Sequence, residues 1–194
     1  MGFMLTRISI WLRTMSTGPV TLLALVIFLL FTALVLPAQA AQAAEVSNEA
    51  ASPDMSFFYS SNDLYQMAEA YGPEGRAAYI RARWTFDVVW PLVYTFFLAT
   101  SISWVITRAY PVESRWQFGN LAPVLGALLD YLENISTSLV MARYPLPTPV
   151  VDFLAPFFTF FKWVFVNGSF VLLLIGLTLA AWRRVKRNCA AAKH

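Results

Sequence analysis

The chain of 194 residues contains one cysteine, Cys189, and one histidine, His194. A lone cysteine excludes an internal disulfide and any multi-cysteine zinc or iron–sulfur site. With no histidine inside an apolar stretch, haem, copper and zinc lose their commonest intramembrane ligand. Charge is scarce too: Asp, Glu, Lys and Arg make up 13% of the residues, against roughly a quarter in soluble domains. No Gly-rich phosphate loop, Ser–His–Asp set or zinc motif occurs. What is present is apolar. Hydrophobic residues make up 58% and aromatics 16%, with a formal net charge of +3 and a mean hydropathy of +0.57. This composition excludes a disordered chain, a soluble globular domain and a nucleic-acid binder working through a basic patch. It implies an all-α protein of the bilayer. Neither nucleic acid nor a cofactor is expected.

Four apolar stretches are long enough to cross a bilayer: residues 20–36, 85–106, 121–142 and 153–182. The last, at 1.5 Å per residue, reaches roughly 45 Å and must tilt or emerge from a hydrocarbon core about 30 Å thick. The first is preceded by Arg7 and Arg13 and followed by Pro-Ala-Gln-Ala, a pattern a signal peptidase could cut near Ala40. Cleavage would leave three spans. The length of the run favours a retained anchor, and the expected architecture is a polytopic four-helix membrane bundle. Its parts are an anchor (1–40), a periplasmic linker with a short amphipathic helix (41–84), a three-helix core (85–182) and a basic tail (183–194).

Lysines and arginines near the spans set orientation. Nine fall on one side (Arg7, Arg13, Arg108, Arg115, Arg183, Arg184, Lys186, Arg187, Lys193) and four on the other (Arg76, Arg81, Arg83, Arg143), with Lys162 inside a span. Both termini are therefore expected to be cytoplasmic. Arg183, Arg184, Lys186 and Arg187 can touch anionic lipid headgroups, or serve simply as a stop-transfer anchor.

Residues 38–54 are small, polar and acidic and read as a flexible linker. Ser61 or Asn62 then caps a short helix over 63–71. Gly72 ends it, and Pro73 opens a second helix expected to run straight into the second span. Tyr65, Tyr71, Tyr79 and Trp84 suit a membrane interface.

Ionisable residues within spans are costly and usually face the bundle interior. Here they are Asp87, Asp130, Glu133 and Lys162. Tyr94, Glu133 and Lys162 each lie nine residues, about 14 Å, from the same end of their spans, in one layer on three helices. Spacings of three and four residues extend the pattern. Asp87, Trp90, Tyr94 and Ser101 share one stripe. Gly126, Asp130, Glu133 and Thr137 share another, with Asn134 at its edge. Thr159, Lys162, Val166 and Ser169 share a third. Ala122 and Gly126 are small enough for close helix approach.

Three readings of this cluster stay open. It is a structural clasp, in which Glu133 and Lys162 neutralise each other while Asn134 and Tyr94 complete the hydrogen bonds. Or it is a binding or catalytic pocket, with Asp130 or Glu133 as acid or base and Asp87 and Trp90 guarding the mouth. Or it is a proton or ion pathway. A metal site is not expected, since the nitrogen ligands of di-iron bundles are absent.

Residues 71–94 (Tyr-Gly-Pro-Glu-Gly-Arg through Leu-Val-Tyr) and 121–136 (Leu-Ala-Pro through Asp-Tyr-Leu-Glu-Asn-Ile-Ser) resemble a family of bacterial four-helix inner-membrane proteins. In that family a Gly-Glu-Gly-Arg-like stretch precedes an Asp-containing second helix, and Asp-x-x-Glu-Asn marks the third. The corresponding residues are Gly72, Glu74, Gly75, Arg76 and Asp87, then Asp130, Glu133 and Asn134. The resemblance covers roughly residues 57–182 and implies an inner-membrane location without a particular activity. A looser, architectural likeness to four-helix sterol-isomerase and sigma-two-receptor-like proteins points to an apolar ligand, although their histidines are missing here. The favoured function is a non-enzymatic accessory or interaction subunit, with lipids and other membrane subunits as partners. The alternative is a lipid or apolar small-molecule binding protein, or an enzyme using intramembrane carboxylates.

Overall fold

The apolar runs read from the sequence all become helix. A computed structural model describes residues 2–46, 51–111 and 114–191. Among them there is no strand. The α-helices are α1 (Gly2–Met15), α2 (Gly18–Leu30), α3 (Leu36–Val46), α4 (Ser61–Arg83), α5 (Phe86–Ala109), α6 (Ala122–Arg143) and α7 (Val151–Ala191).

α2 and α3 join through a π-helical turn at Phe31–Val35. Pro37 supplies the cause. It has no N–H for the Ala33 carbonyl and its ring would collide with that group, so the helix widens by one residue just before it. The helix then continues to Val46. The expected flexible linker is thus helical over its first part, because alanine, which dominates Ala38–Ala44, is the strongest helix former. Residues 47–50 of that linker lie outside the described residues, and its end forms a short 3-10 turn at Pro53–Met55.

α4 begins two residues earlier than expected. Ser60, rather than Ser61 or Asn62, is the cap: its hydroxyl accepts the Asp63 N–H at 3.2 Å, and the Asp63 carboxylate accepts the Ser60 N–H at 2.8 Å. Gly72 turns the chain with φ 62° and ψ 179°, and Pro73 restarts the helix. Arg76 completes this corner. It donates to the Ala68 carbonyl at 2.8 Å and lies over the Tyr144 ring at 4.7 Å. The Gly-Pro-Glu-Gly-Arg segment is therefore a helix corner. The second half of α4 does not run straight into α5. Trp84 and Thr85 leave helical geometry, with Thr85 at φ −122° and ψ −77°, and the chain bends between Arg83 and Phe86.

α5, α6 and α7 pack on one another, and α2 lies along α5. Phe28 of α2 stacks on Phe97 at 4.5 Å and on Trp90 at 5.9 Å. Close approach between helices depends on glycine. A methyl at Gly126 would meet Val166 Cγ2 at 3.0 Å, and one at Gly176 would meet Val105 Cγ1 at 2.7 Å. The first half of α4 covers the ends of α6 and α7, where Leu64, Met67, Ala68 and Tyr71 pack with Val140, Met141 and Ala155. At the opposite end α1 docks on the turn between α5 and α6. Asn120 Nδ2 donates to the Ser9 carbonyl at 3.1 Å and to Ser103 Oγ at 3.0 Å, and Arg13 donates to Gln117 Oε1 at 3.1 Å.

Three helical stretches among the described residues are long and apolar enough to cross a membrane: Gly18–Glu45, Ser61–Ala109 and Val151–Lys186. The expected span at 121–142 is the helix α6, but Asp130, Glu133 and Asn134 and its serines and threonines keep it from that set. α7 runs on through the basic segment, so Arg183, Arg184 and Lys186 extend a helix rather than form a separate tail. All three are exposed, whereas the side chain of Arg187 lies outside the described residues.

Gly72 sits in backbone territory that is essentially glycine's alone, yet a methyl there would touch nothing within 4 Å. Gly72→Ala is therefore expected to destabilise the protein by about 1–3 kcal/mol through backbone strain alone. Thermal unfolding in detergent checks this, and an unchanged melting temperature would contradict it.

Candidate functional site

The polar stripes of α5, α6 and α7 converge. Asp87, Tyr94 and Ser101, then Gly126, Asp130, Glu133, Asn134 and Thr137, then Thr159, Lys162, Val166 and Ser169 are all buried. This follows from helical geometry, since residues three and four apart share a face. At the centre stands Lys162. Its Nζ forms an ion pair with Glu133 Oε2 and lies 3.8 Å from Asp130 Oδ1. Tyr94 donates its hydroxyl to Asp130 Oδ2 at 3.0 Å. Three helices are thereby tied through one ammonium and two carboxylates. Glu133 is 0% exposed and Lys162 5%.

A second group sits between this centre and α4. Arg83 Nη1 is 2.6 Å from Asp87 Oδ2 and 3.1 Å from Asp54 Oδ2. The Tyr79 ring covers the guanidinium at 4.7 Å. Arg83 and Asp54 were not expected at the site. The four-residue step from Arg83 to Asp87 was a readable signal. Asp54 carried none, because it arrives from a segment distant along the chain. The two groups repeat one pattern, a cation between two carboxylates, and together hold four carboxylates against two cations.

Other expected members depart from the site. Trp90 does not guard a mouth beside Asp87. It stacks on Phe28 and Phe31 and meets Tyr94 edge to face, all at 5.6–5.9 Å, on the seam of α2 and α5. Tyr94 bonds Asp130 rather than Glu133. Asn134 completes no hydrogen bond in the cluster: neither its Nδ2 nor its Oδ1 has a partner among the described residues. The reason is angular. Adjacent residues on a helix are about 100° apart, so Glu133 and Asn134 cannot both face Lys162. Asn134 instead lines a half-open groove of about 260 Å³ between α5 and α6, with Arg83, Trp84, Val88, Tyr131 and Ile135. Tyr131 spans its side by donating to the Val88 carbonyl at 2.9 Å. Of the four aromatic residues expected at an interface, Trp84 is exposed, but Tyr71 and Tyr79 are buried and Tyr65 holds Asp152 Oδ2 at 3.0 Å.

No family model, no curated protein and no solved structure matches this chain.

Burial works against the charge of Asp54, but the Arg83 guanidinium, the Lys162 ammonium and the Ser52 hydroxyl outweigh it and hold the carboxyl below its ordinary range. A lowered value means that the stabilisation by this carboxylate is whole above the ordinary carboxylate range, about pH 4, and is lost as pH falls through the lowered value. Asp54→Asn should therefore melt below the native protein at neutral pH, with the gap closing as the pH falls below about 4. Melting curves of both proteins from neutral to acid pH check this, and a gap that persists or widens in acid would contradict it.

Proposed function

We propose that the chain is a multi-pass protein of a bacterial inner membrane that serves as a non-enzymatic accessory or interaction subunit. In this reading α2, α5, α6 and α7 form a four-helix bundle kin to the family resembled above. α4 caps its periplasmic mouth, and both termini lie on the cytoplasmic side with Arg183, Arg184, Lys186 and Arg187.

One observation carries the non-enzymatic role: the central carboxylates are engaged by partners from neighbouring helices. Lys162 stands between Glu133 and Asp130, and Tyr94 holds the far oxygen of Asp130. An acid or base must reach a substrate within hydrogen-bond distance, and Glu133 is fully enclosed. In an apolar medium such a set fixes which helix faces meet, because any other register strands a charge. The exposed stripe of Leu125, Leu128, Leu132, Ile135 and Leu139 on α6 suits acyl chains around the bundle.

The interaction role rests on α2. Only 6% of the most apolar window of Gly18–Glu45 is buried within the chain. Leu22, Val26, Leu29 and Leu30 are exposed at helical spacing, forming a face on which a second membrane helix can lie. Extraction in mild detergent is expected to yield an assembly containing other membrane subunits, and Val26→Trp with Leu30→Trp is expected to release the chain from it. Native mass spectrometry of both extracts checks this. A native extract holding only the 21.8 kDa chain and lipid would contradict the accessory role.

A further inference from the structure

The groove between α5 and α6 is lined by residues with buried polar atoms that have no partner among the described residues. Asn134 is 4% exposed, and both ends of its amide lack a partner among the described residues. Arg83 is 8% exposed, and its Nε has none either, the ion pairs being made by Nη1. Both residues line the same half-open groove. Its outer wall is apolar and uncovered, with Trp84 57%, Val88 40% and Ile135 49% exposed. Buried donors and acceptors are nearly always matched in folded proteins, and a concave apolar site with a few convergent polar groups is the usual form of a small-molecule site.

We propose that this groove binds an uncharged lipid through a hydroxyl group, as in a long-chain alcohol or an acylglycerol. This goes beyond the accessory role and does not depend on it. A hydroxyl both donates and accepts. Its oxygen accepts from Arg83 Nε or Asn134 Nδ2, and its hydrogen goes to Asn134 Oδ1. Charge excludes the commoner membrane anions. Arg83 already stands between Asp54 and Asp87, so the site carries more negative than positive charge, and a phosphate or fatty-acid carboxylate would be repelled. Size fixes how much of the ligand enters. About 260 Å³ falls below the roughly 300–1,000 Å³ of sites that engulf a whole drug-sized ligand. The groove therefore takes the head and first carbons, and the tail runs outward over Val88 and Ile135.

The test uses the full chain in phosphatidylcholine nanodiscs with two photoreactive probes, a diazirine-bearing hexadecanol and a hexadecanoic acid with the diazirine at the same carbon. The alcohol is expected to label residues 84–88 and 131–135 at least about tenfold more than the acid, a difference of about 1.4 kcal/mol. Unlabelled hexadecanol should compete. Asn134→Leu is expected to cut labelling about tenfold without lowering the melting temperature, since the amide it removes has no partner among the described residues. Val88→Trp, which fills the groove from its exposed wall, should also abolish labelling and serves if the first variant misfolds. Equal labelling by the acid, adducts elsewhere, or labelling that survives both substitutions would overturn the proposal. The readout needs no partner subunit, so its failure is separable from failure of the accessory role.

Discussion

The structure depends on a lysine held inside an apolar bundle. An isolated ammonium at that depth is costly, and so is each carboxylate beside it. Only together do they become tolerable. Lys162 on α7 meets Glu133 and Asp130 on α6, and Tyr94 on α5 holds Asp130 from its other side. This constraint decides which faces of three helices turn inward. The glycines then follow, because the ammonium reaches its partners only where α6 and α7 come close, at Gly126 against Val166. Stability is not the main return. A buried ion pair is often no better than well-packed hydrocarbon, whereas breaking one strands a charge. The cluster acts chiefly as a specification of register.

The Arg83 group repeats the device nearer the end of the bundle and links it to the cap. Asp54, Arg83 and Asp87 join the chain before α4, the end of α4 and the start of α5. The bend at Trp84–Thr85 lets Arg83 turn in toward Asp87 while Trp84 stays outside. A polar column thus runs from the α4 side toward the middle of the bundle, and the groove at Asn134 opens from its flank. At the other end a network of Ser9, Arg13, Ser103, Gln117 and Asn120 seats α1 on the turn between α5 and α6.

Much of the centre was legible because helical spacing is a strong signal. Asp130, Glu133 and Asn134 on one helix, with a lysine on another, cannot all face lipid. The stripes through Tyr94, Glu133 and Lys162 accordingly turned inward. What could not be read was finer than a helix face or longer than a helix. Asn134 and Glu133 are neighbours in sequence, and the roughly 100° between them sends one to the cluster and the other to the groove. Asp54 reaches Arg83 by the return of a loop, which has no periodicity. α1 escaped notice because its apolar residues are interspersed with Arg7 and Arg13, and α3 because an alanine-rich polar stretch serves equally as linker or helix. The helix break at Gly72 and Pro73 was legible from those two residues, but the part Arg76 plays in bracing that corner was not, because its contact with the Ala68 carbonyl exists only in the folded chain.

The most direct test of this account is a double-mutant cycle on Glu133→Gln and Lys162→Met, measured by reversible unfolding in mixed micelles. If the two side chains form one clasp, Lys162→Met strands two buried carboxylates and costs about 3–5 kcal/mol, and Glu133→Gln destabilises as well by leaving Lys162 only the more distant Asp130. The double substitution then costs far less than the sum. Additive losses, or single substitutions that leave stability unchanged, would show that the bundle does not depend on their meeting.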